Sequence, residues 1–514
     1  MKHVKKIFAF ALTLVMALAV ALPAYAADGD LTVDDKVSVS GFEADDSITA
    51  YQFITWVDGE GWKLAEGITG ITLADITNGL DASELATLAS AANVAKMTPV
   101  TGKKTGTTWE YTCGTAATAG SYLILVTSNT VNYIYNPVVV SADFDGTNDN
   151  AVDLTSQDAN LKKEEVKIEK VADNASDDYD VQVGDIIPFT VKVTVPQYSA
   201  NWTDPYFVVT DQLSAGLTIE VPPTIAGLTE GTHYTLTNGK KGDRGFTIKF
   251  TDSYLKGNAS AALEIKYSAI VGNAAAATTQ VHEETNTATL EFSNDPSNSS
   301  LHNTDSDETH HYTFAIGADR LGQGTGKTIE LIKVGVDEST GTPITSIVEG
   351  EEFPTGVTAL AGAEFKLTGT GPNNAGKYEQ TAKTDANGRL SFNNLEVGAY
   401  KLQETNAPDG YIKDTTVHDV VISASYNDDK TLASYTITID GKVSSTYTAT
   451  TNAENATVCE ASTGNASAAI NNKQGTELPS TGGIGTTIFY VVGGVMVAGA
   501  VVFLLTKRRM ASAE

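Results

Sequence analysis

Few side chains in this 514-residue chain could carry chemistry unaided. His302, His310 and His311 gather in a stretch rich in Ser, Asn and Asp. No further ligand stands at zinc spacing, so the pattern predicts an exposed loop rather than a metal centre. Asp143-Phe144-Asp145-Gly146-Thr147-Asn148-Asp149 has the acid density of a calcium loop. Its glycine is at the wrong offset for an EF-hand and no glutamate closes it, which leaves an Asx-rich turn. Cys113 and Cys459 lie far apart in different candidate domains, so free thiols are expected, with an intermolecular bridge as the alternative. No Ser/His/Asp, HExxH or paired-carboxylate pattern stands out, and nothing calls for a cofactor or metal. An enzyme is not expected.

The tail is more specific. Leu478-Pro479-Ser480-Thr481-Gly482-Gly483 is followed by an uncharged apolar run, 484–505, and then Lys507-Arg508-Arg509. At 1.5 Å of helical rise per residue the run is long enough to span a hydrocarbon core. The basic triplet then places the last residues in the cytoplasm and the rest of the chain outside. This order of parts resembles the LPXTG sorting signal of Gram-positive surface proteins. The resemblance implies that a sortase cysteine cleaves between Thr481 and Gly482 and passes the threonyl group to an amine. A lipid-anchor signal also joins small residues to an apolar tail, but it does not need a basic end.

The other end points the same way. Lys2, Lys5 and Lys6, an apolar stretch at 7–22 and Ala24-Tyr25-Ala26 read as a secretory signal peptide, residues 1–26. With 34 basic against 63 acidic residues, and basic side chains clustered only at the two membrane-related ends, nucleic acid is not a partner. An acidic, self-repelling soluble surface is expected between those ends. An exported chain with two cysteines also lacks a disulfide framework and must resist unfolding by other means.

Length allows about three domains. In residues 27–160, short alternating strands open the sequence, and Tyr122-Leu123-Ile124-Leu125-Val126 and Pro137-Val138-Val139-Val140 read as buried strands. One helix is expected over 81–97, where Leu85, Leu88, Ala92 and Ala95 recur at helical spacing and Asp81 or Ser83 can cap. Residues 161–322 show regularly spaced strands and no helix of any length, which argues for a β-sandwich. A Gly-rich joint, Gly322-Gln323-Gly324-Thr325-Gly326, precedes a third strand-rich region, 327–473, and the sorting signal occupies 478–514. The class is all-β, with tandem immunoglobulin-like sandwiches.

Within 327–473, Tyr400-Lys401-Leu402-Gln403-Glu404-Thr405-Asn406-Ala407-Pro408-Asp409-Gly410-Tyr411 resembles the E-box of Gram-positive pilins, matching YxLxETxAPxGY throughout. The region is similar to Cna B-type domains that form an internal isopeptide bond. The resemblance implies Lys333 as nucleophile, Glu404 as the acid and Asn472 as acceptor, with Asn471 as the alternative. An apolar core favours an uncharged lysine and a protonated carboxyl, and fixed geometry makes the attack intramolecular. Strand alternation allows only one of the two asparagines to face inward.

The middle region resembles the isopeptide-forming middle domain of fimbrial subunits. The phrases are the Lys-Val step at Lys170, Val183-Gly184-Asp185, Val195-Pro196, Val209-Thr210-Asp211-Gln212-Leu213-Ser214-Ala215-Gly216-Leu217, and Asn286-Thr287-Ala288-Thr289-Leu290-Glu291-Phe292-Ser293-Asn294. By that resemblance Lys170 attacks Asn294 with Asp211 as the acid, Asn286 and Glu264 being the alternatives. Pilins of this kind offer sortase a lysine near the join of their first two domains. Here Lys162 or Lys163 stands at that place, without the tyrosine-proline-lysine form found in several pilins. The implied protein is a secreted, wall-anchored major pilin that polymerises with sister subunits, works with pilus and housekeeping sortases and peptidoglycan, and supports adhesion. A monomeric adhesin, or a minor tip or basal pilin, is the alternative.

Overall fold

The computed structural model describes residues 33–57, 60–129, 132–144, 154, 157–173, 179–198, 202–275, 281–296, 300–317, 330–348, 351–451, 457–461, 466–475 and 484–510. The signal peptide, the Gly322–Gly326 joint, most of the Asp143–Asp149 turn and Leu478–Gly482 lie outside these residues. The chain forms two compact units. One comprises Met1–Asp178, Gly184–Ala274 and Glu284–His310; the other comprises Tyr179–Val183, Ala275–Glu283 and His311–Glu514.

The first unit opens with two sheets of four and six strands. The continuous apolar run of strand Gly120–Thr127 suits its central place between Ser47–Gln52 and Val138–Ala142. Val37, Val39, Trp109, Tyr122, Ile124 and Leu88 share its core. The helix expected over 81–97 is split into Ala82–Leu88 and Ala91–Val94, and a further helix precedes it at Leu73–Asn78. Asp81 caps the first piece by accepting from Ser83 and Glu84 N–H, both at 2.8 Å. The break has a cause: buried Asn93 donates to Thr87 O at 2.8 Å and to Thr69 O at 3.0 Å, tying the turn down where the pattern alone reads as continuous helix.

The same unit holds a second pair of sheets. Strands Ile168–Ala172, Ile186–Thr194, Ala262–Val271 and Leu217–Ile225 form one, in that order. Phe207–Leu213 lies in the other between Gly245–Phe250 and Val281–Ser293. Among its described residues the region has one short α-helix, Asp252–Gly257, capped by Thr251, and a single 3-10 turn at Asn273–Ala275. The histidine stretch is not a loop: His302–Gly317 is a strand. There His302 stacks on Tyr206 at 4.2 Å and meets Glu291 at 2.8 Å, and His311 is buried. Polar residues predicted the loop; their pairing along a strand edge overrides that.

The second unit contains a four-stranded sheet, Ser346–Val348, Ala466–Lys473, Leu331–Val336 and Val357–Ala359 in order, and a seven-stranded sheet. Leu331–Val336 and Ala466–Lys473 run parallel, with Val334 opposite Asn471 and Gly335 opposite Asn472. The strand that carries Lys333 is held from the side by the turn at Gly388. Lys333 N–H donates to Gly388 O at 2.8 Å, and Leu360 N–H donates to Lys333 O at 3.0 Å. Gly388 has φ of +72°, and a Cβ there would sit 2.2 Å from Lys333 O. Gly376 has a similar φ, +76°, but open space around it. Gly388→Ala should therefore cost about 2 kcal/mol or more, and Gly376→Ala about 1 kcal/mol, in denaturant unfolding. Equal costs would show that contact with the Lys333 strand is unimportant.

Candidate functional site

Lys333, Glu404 and Asn472 converge in the core of the second unit, all three buried. Each comes from a different strand: Leu331–Val336, Gly398–Asn406 and Ala466–Lys473. Lys333 Nζ donates to Asn472 Oδ1 at 2.6 Å and lies 3.4 Å from Glu404 Oε2. Asn472 Nδ2 donates to Glu404 Oε1 at 2.7 Å. The other carboxylate oxygen accepts the Asp414 backbone N–H at 2.6 Å, so Glu404 is fixed at both ends. Asn471, on the opposite face of its strand, exchanges hydrogen bonds with the Ile344 backbone at 3.0 and 2.7 Å. Alternation thus aims Asn472, not Asn471, at the lysine. Burial holds the Lys333 pKa below the ordinary lysine range, against the opposing pull of Glu404 and Asp414.

The E-box does more than supply Glu404. Its turn at Pro408–Gly410 brings Tyr411 onto Gly335, whose Cβ would lie 2.7 Å from the phenol oxygen. Ile412 N–H then donates to Lys473 O at 2.9 Å. The motif therefore clamps the end of the last strand beside the residue that must be positioned.

A second buried lysine, Lys170, sits in the first unit on strand Ile168–Ala172. Its Nζ pairs with Asp211 Oδ2 and donates to Tyr267 Oη at 2.7 Å. Tyr267 Oη donates to Asp211 Oδ1 at 2.8 Å and accepts from Asn286 Nδ2 at 2.6 Å. Burial lowers the Lys170 pKa and raises that of Asp211, each opposed by the other's charge.

Two expectations for this cluster are corrected. Asn294 is not beside Lys170; its Nδ2 donates to Ser128 O and to Asn303 Oδ1, both at 2.9 Å. Asn286 joins the cluster in its place, through its hydrogen bond to the Tyr267 hydroxyl that also meets Lys170 and Asp211. Glu264 points outward and pairs with Lys266 at 2.8 Å, because Leu263, Ile265 and Tyr267 take the inward positions of its strand. Tyr267 was not foreseen; its inward parity with Ile265 is the one sign of it in the sequence.

At the candidate acceptor lysines, Lys163 pairs with Glu43 and lies over the Tyr133 ring at 4.1 Å. Lys162 is exposed, and no ion pair to a described residue engages its ammonium. Cys113 and Cys459 are free, and burial pushes the Cys459 thiol up to about 12. The apolar tail forms helix Ile484–Met510, with Lys507, Arg508 and Arg509 in its last turn, long and apolar enough to cross a membrane.

A family model described as a prealbumin-like fold domain matches residues 354–436, and the LPXTG cell wall anchor motif matches residues 470–512. The trypsin-resistant surface T6 protein of Streptococcus pyogenes serotype M6 is 24% identical over 94% of this chain and 96% of its own length. The chain is a homologue of that protein. The solved T6 backbone pilin of serotype M6 Streptococcus pyogenes, described as a modular three-domain structure, superimposes with a TM-score of 0.55 at 18% identity, covering 88% of this chain and all of that one. The full-length major pilin SpaD from Corynebacterium diphtheriae superimposes with a TM-score of 0.45 at 16% identity, over 86% of this chain and 98% of that one. The fold is thus the all-β pilin fold, and the chain is a cell-wall-anchored surface protein whose precursor passes through the membrane.

Each buried cluster holds a lysine amine and a carboxamide with an acid alongside, an arrangement suited to amide exchange with loss of ammonia. Geometry decides which amide can react. In peptide maps of the full-length chain, Asn286→Ala should abolish any peptide cross-linked to Lys170, and Asn294→Ala should leave it in place. The reverse pattern would reinstate Asn294.

Proposed function

We propose that the chain is the backbone subunit of a covalently polymerised pilus, joined end to end by sortase and tied internally by Lys333–Asn472 and Lys170–Asn286 isopeptide bonds. The observation that carries this reading is the Lys333–Glu404–Asn472 cluster, in which Lys333 and Asn472 stand on the paired strands Leu331–Val336 and Ala466–Lys473 of a chain that carries a wall-anchor signal. The full-length likeness to the T6 protein supports it.

Uncharged Lys333 Nζ attacks Cγ of Asn472. A new C–N bond forms, the Cγ–Nδ2 bond breaks, and Glu404 moves the proton shed by Nζ to the departing nitrogen, which leaves as ammonia. Protonation of the lysine removes its lone pair, so the reaction stops as pH falls through the folded-state lysine pKa; the lowered value keeps the amine reactive further down in pH. The step runs once per bond, so the protein is a structural subunit and not an enzyme. A tie across so long a loop also restricts the unfolded chain, by roughly 4–5 kcal/mol if the disulfide treatment carries over.

Between subunits, the Thr481–Gly482 peptide bond is exchanged for one between the Thr481 carbonyl and a lysine amine of a sister chain. Lys162 is the better acceptor. Its neighbour Lys163 is held by Glu43, which raises its pKa and keeps it protonated. Sortase-released wall material should give a ladder of ever larger species on a denaturing gel. Lys162→Ala should collapse the ladder to a single band, and Lys163→Ala should leave it. A single band from the unaltered chain would contradict polymerisation and leave a monomeric adhesin.

A further inference from the structure

The two clusters differ in one respect that bears on mechanism. In the second unit the acid touches both partners, because Glu404 meets Lys333 and Asn472 directly. In the first unit the acid is an aspartate, one methylene shorter, and no hydrogen bond joins Asp211 to Asn286. The Tyr267 hydroxyl lies between them, 2.8 Å from Asp211 Oδ1, 2.6 Å from Asn286 Nδ2 and 2.7 Å from Lys170 Nζ. Its ring is clamped, stacked on Phe189 at 5.2 Å and edge-on to Phe246 at 5.0 Å, so the hydroxyl has little freedom to leave.

We propose that Tyr267 is a catalytic residue of the Lys170–Asn286 bond, its hydroxyl carrying the proton from Asp211 to the nitrogen that Asn286 loses. This rests on the reading of Lys170 and Asn286 as a bond-forming pair. Lys170 Nζ attacks Cγ of Asn286. As the Cγ–Nδ2 bond breaks, the hydroxyl gives its proton to Nδ2 and is reprotonated by Asp211, and ammonia leaves. Nζ sheds one proton on becoming an amide nitrogen and returns it to Asp211. Acid and phenol end as they began. Burial keeps the phenol pKa well above its ordinary value, so the proton is present to be given. The tyrosine thus makes up the reach that the shorter acid lacks.

The test follows both cross-links by peptide mapping, in a time course after synthesis, on the full-length chain in detergent. The Lys333–Asn472 link serves as an internal clock. Tyr267→Phe should slow the Lys170–Asn286 link by roughly 10²-fold or more and leave the clock unchanged. In the double variant Asp211→Glu/Tyr267→Phe the longer acid should reach Asn286 as Glu404 reaches Asn472, restoring the link. Tyr267→Phe linking as fast as the unaltered chain overturns the proposal. So does a double variant that is folded by near-ultraviolet circular dichroism yet stays unlinked, which would leave Tyr267 a packing residue. Absence of the Lys170 link from the unaltered chain would instead refute the underlying bond assignment.

Discussion

Two lysine side chains taken wholly out of water set the terms for this protein. A buried ammonium costs several kcal/mol even when a carboxylate lies beside it, and a lysine–acid pair in an apolar core is weak grounds for stability. Lys170 and Lys333 are both fully buried, and burial is the largest influence on each, pushing it toward the uncharged amine. At Lys333, where the amine is pressed against the Asn472 carboxamide, the uncharged form is a nucleophile in place. On the proposed reaction, amide formation would remove the ionisable amine altogether and so relieve the electrostatic penalty that starts it.

Strand geometry supplies the precision. A lysine on one strand reaches an asparagine on another only if both face inward and stand within the span of the lysine side chain. In the second unit the parallel register of Leu331–Val336 with Ala466–Lys473 sets Lys333 opposite Ile470 and Asn472 opposite Gly335, so Asn472 is the next inward position along and the long lysine side chain reaches it. The E-box brings Glu404 to the same point and then returns through Tyr411 to clamp the last strand. A chain pulled at its ends loads that parallel pair in shear, and the proposed bond between the two strands would carry the load past everything enclosed between them.

The sequence exposed this logic unevenly. The E-box named Glu404, and alternation separates Asn472 from Asn471 once the register is known. Asn286 and Asn294 share one parity, so alternation cannot choose between them. They are eight residues apart, roughly 26 Å along a strand, and only the pairing with Phe207–Leu213 shows that Asn286 is the one that stands close to Asp211. Glu264 fails on parity alone, a judgement that needed the inward face to be known. Tyr267 carries no motif, because its role comes from a gap between two other side chains. The split helix and the histidine strand were misread for a related reason: local composition does not reveal that Asn93 ties down a turn or that His302 stacks on Tyr206.

A covalent tie between Lys333 and Asn472 would make the segment between them inextensible. Single-molecule stretching of the full-length chain tests it directly. With the bond in place, the stretch between those positions, 139 apart in sequence, should add no length at forces that unfold ordinary β-sandwiches. A lengthening step of ~47 nm, the extended length of that segment, in the unaltered chain would contradict the account, whereas the same step in Glu404→Ala is what it predicts.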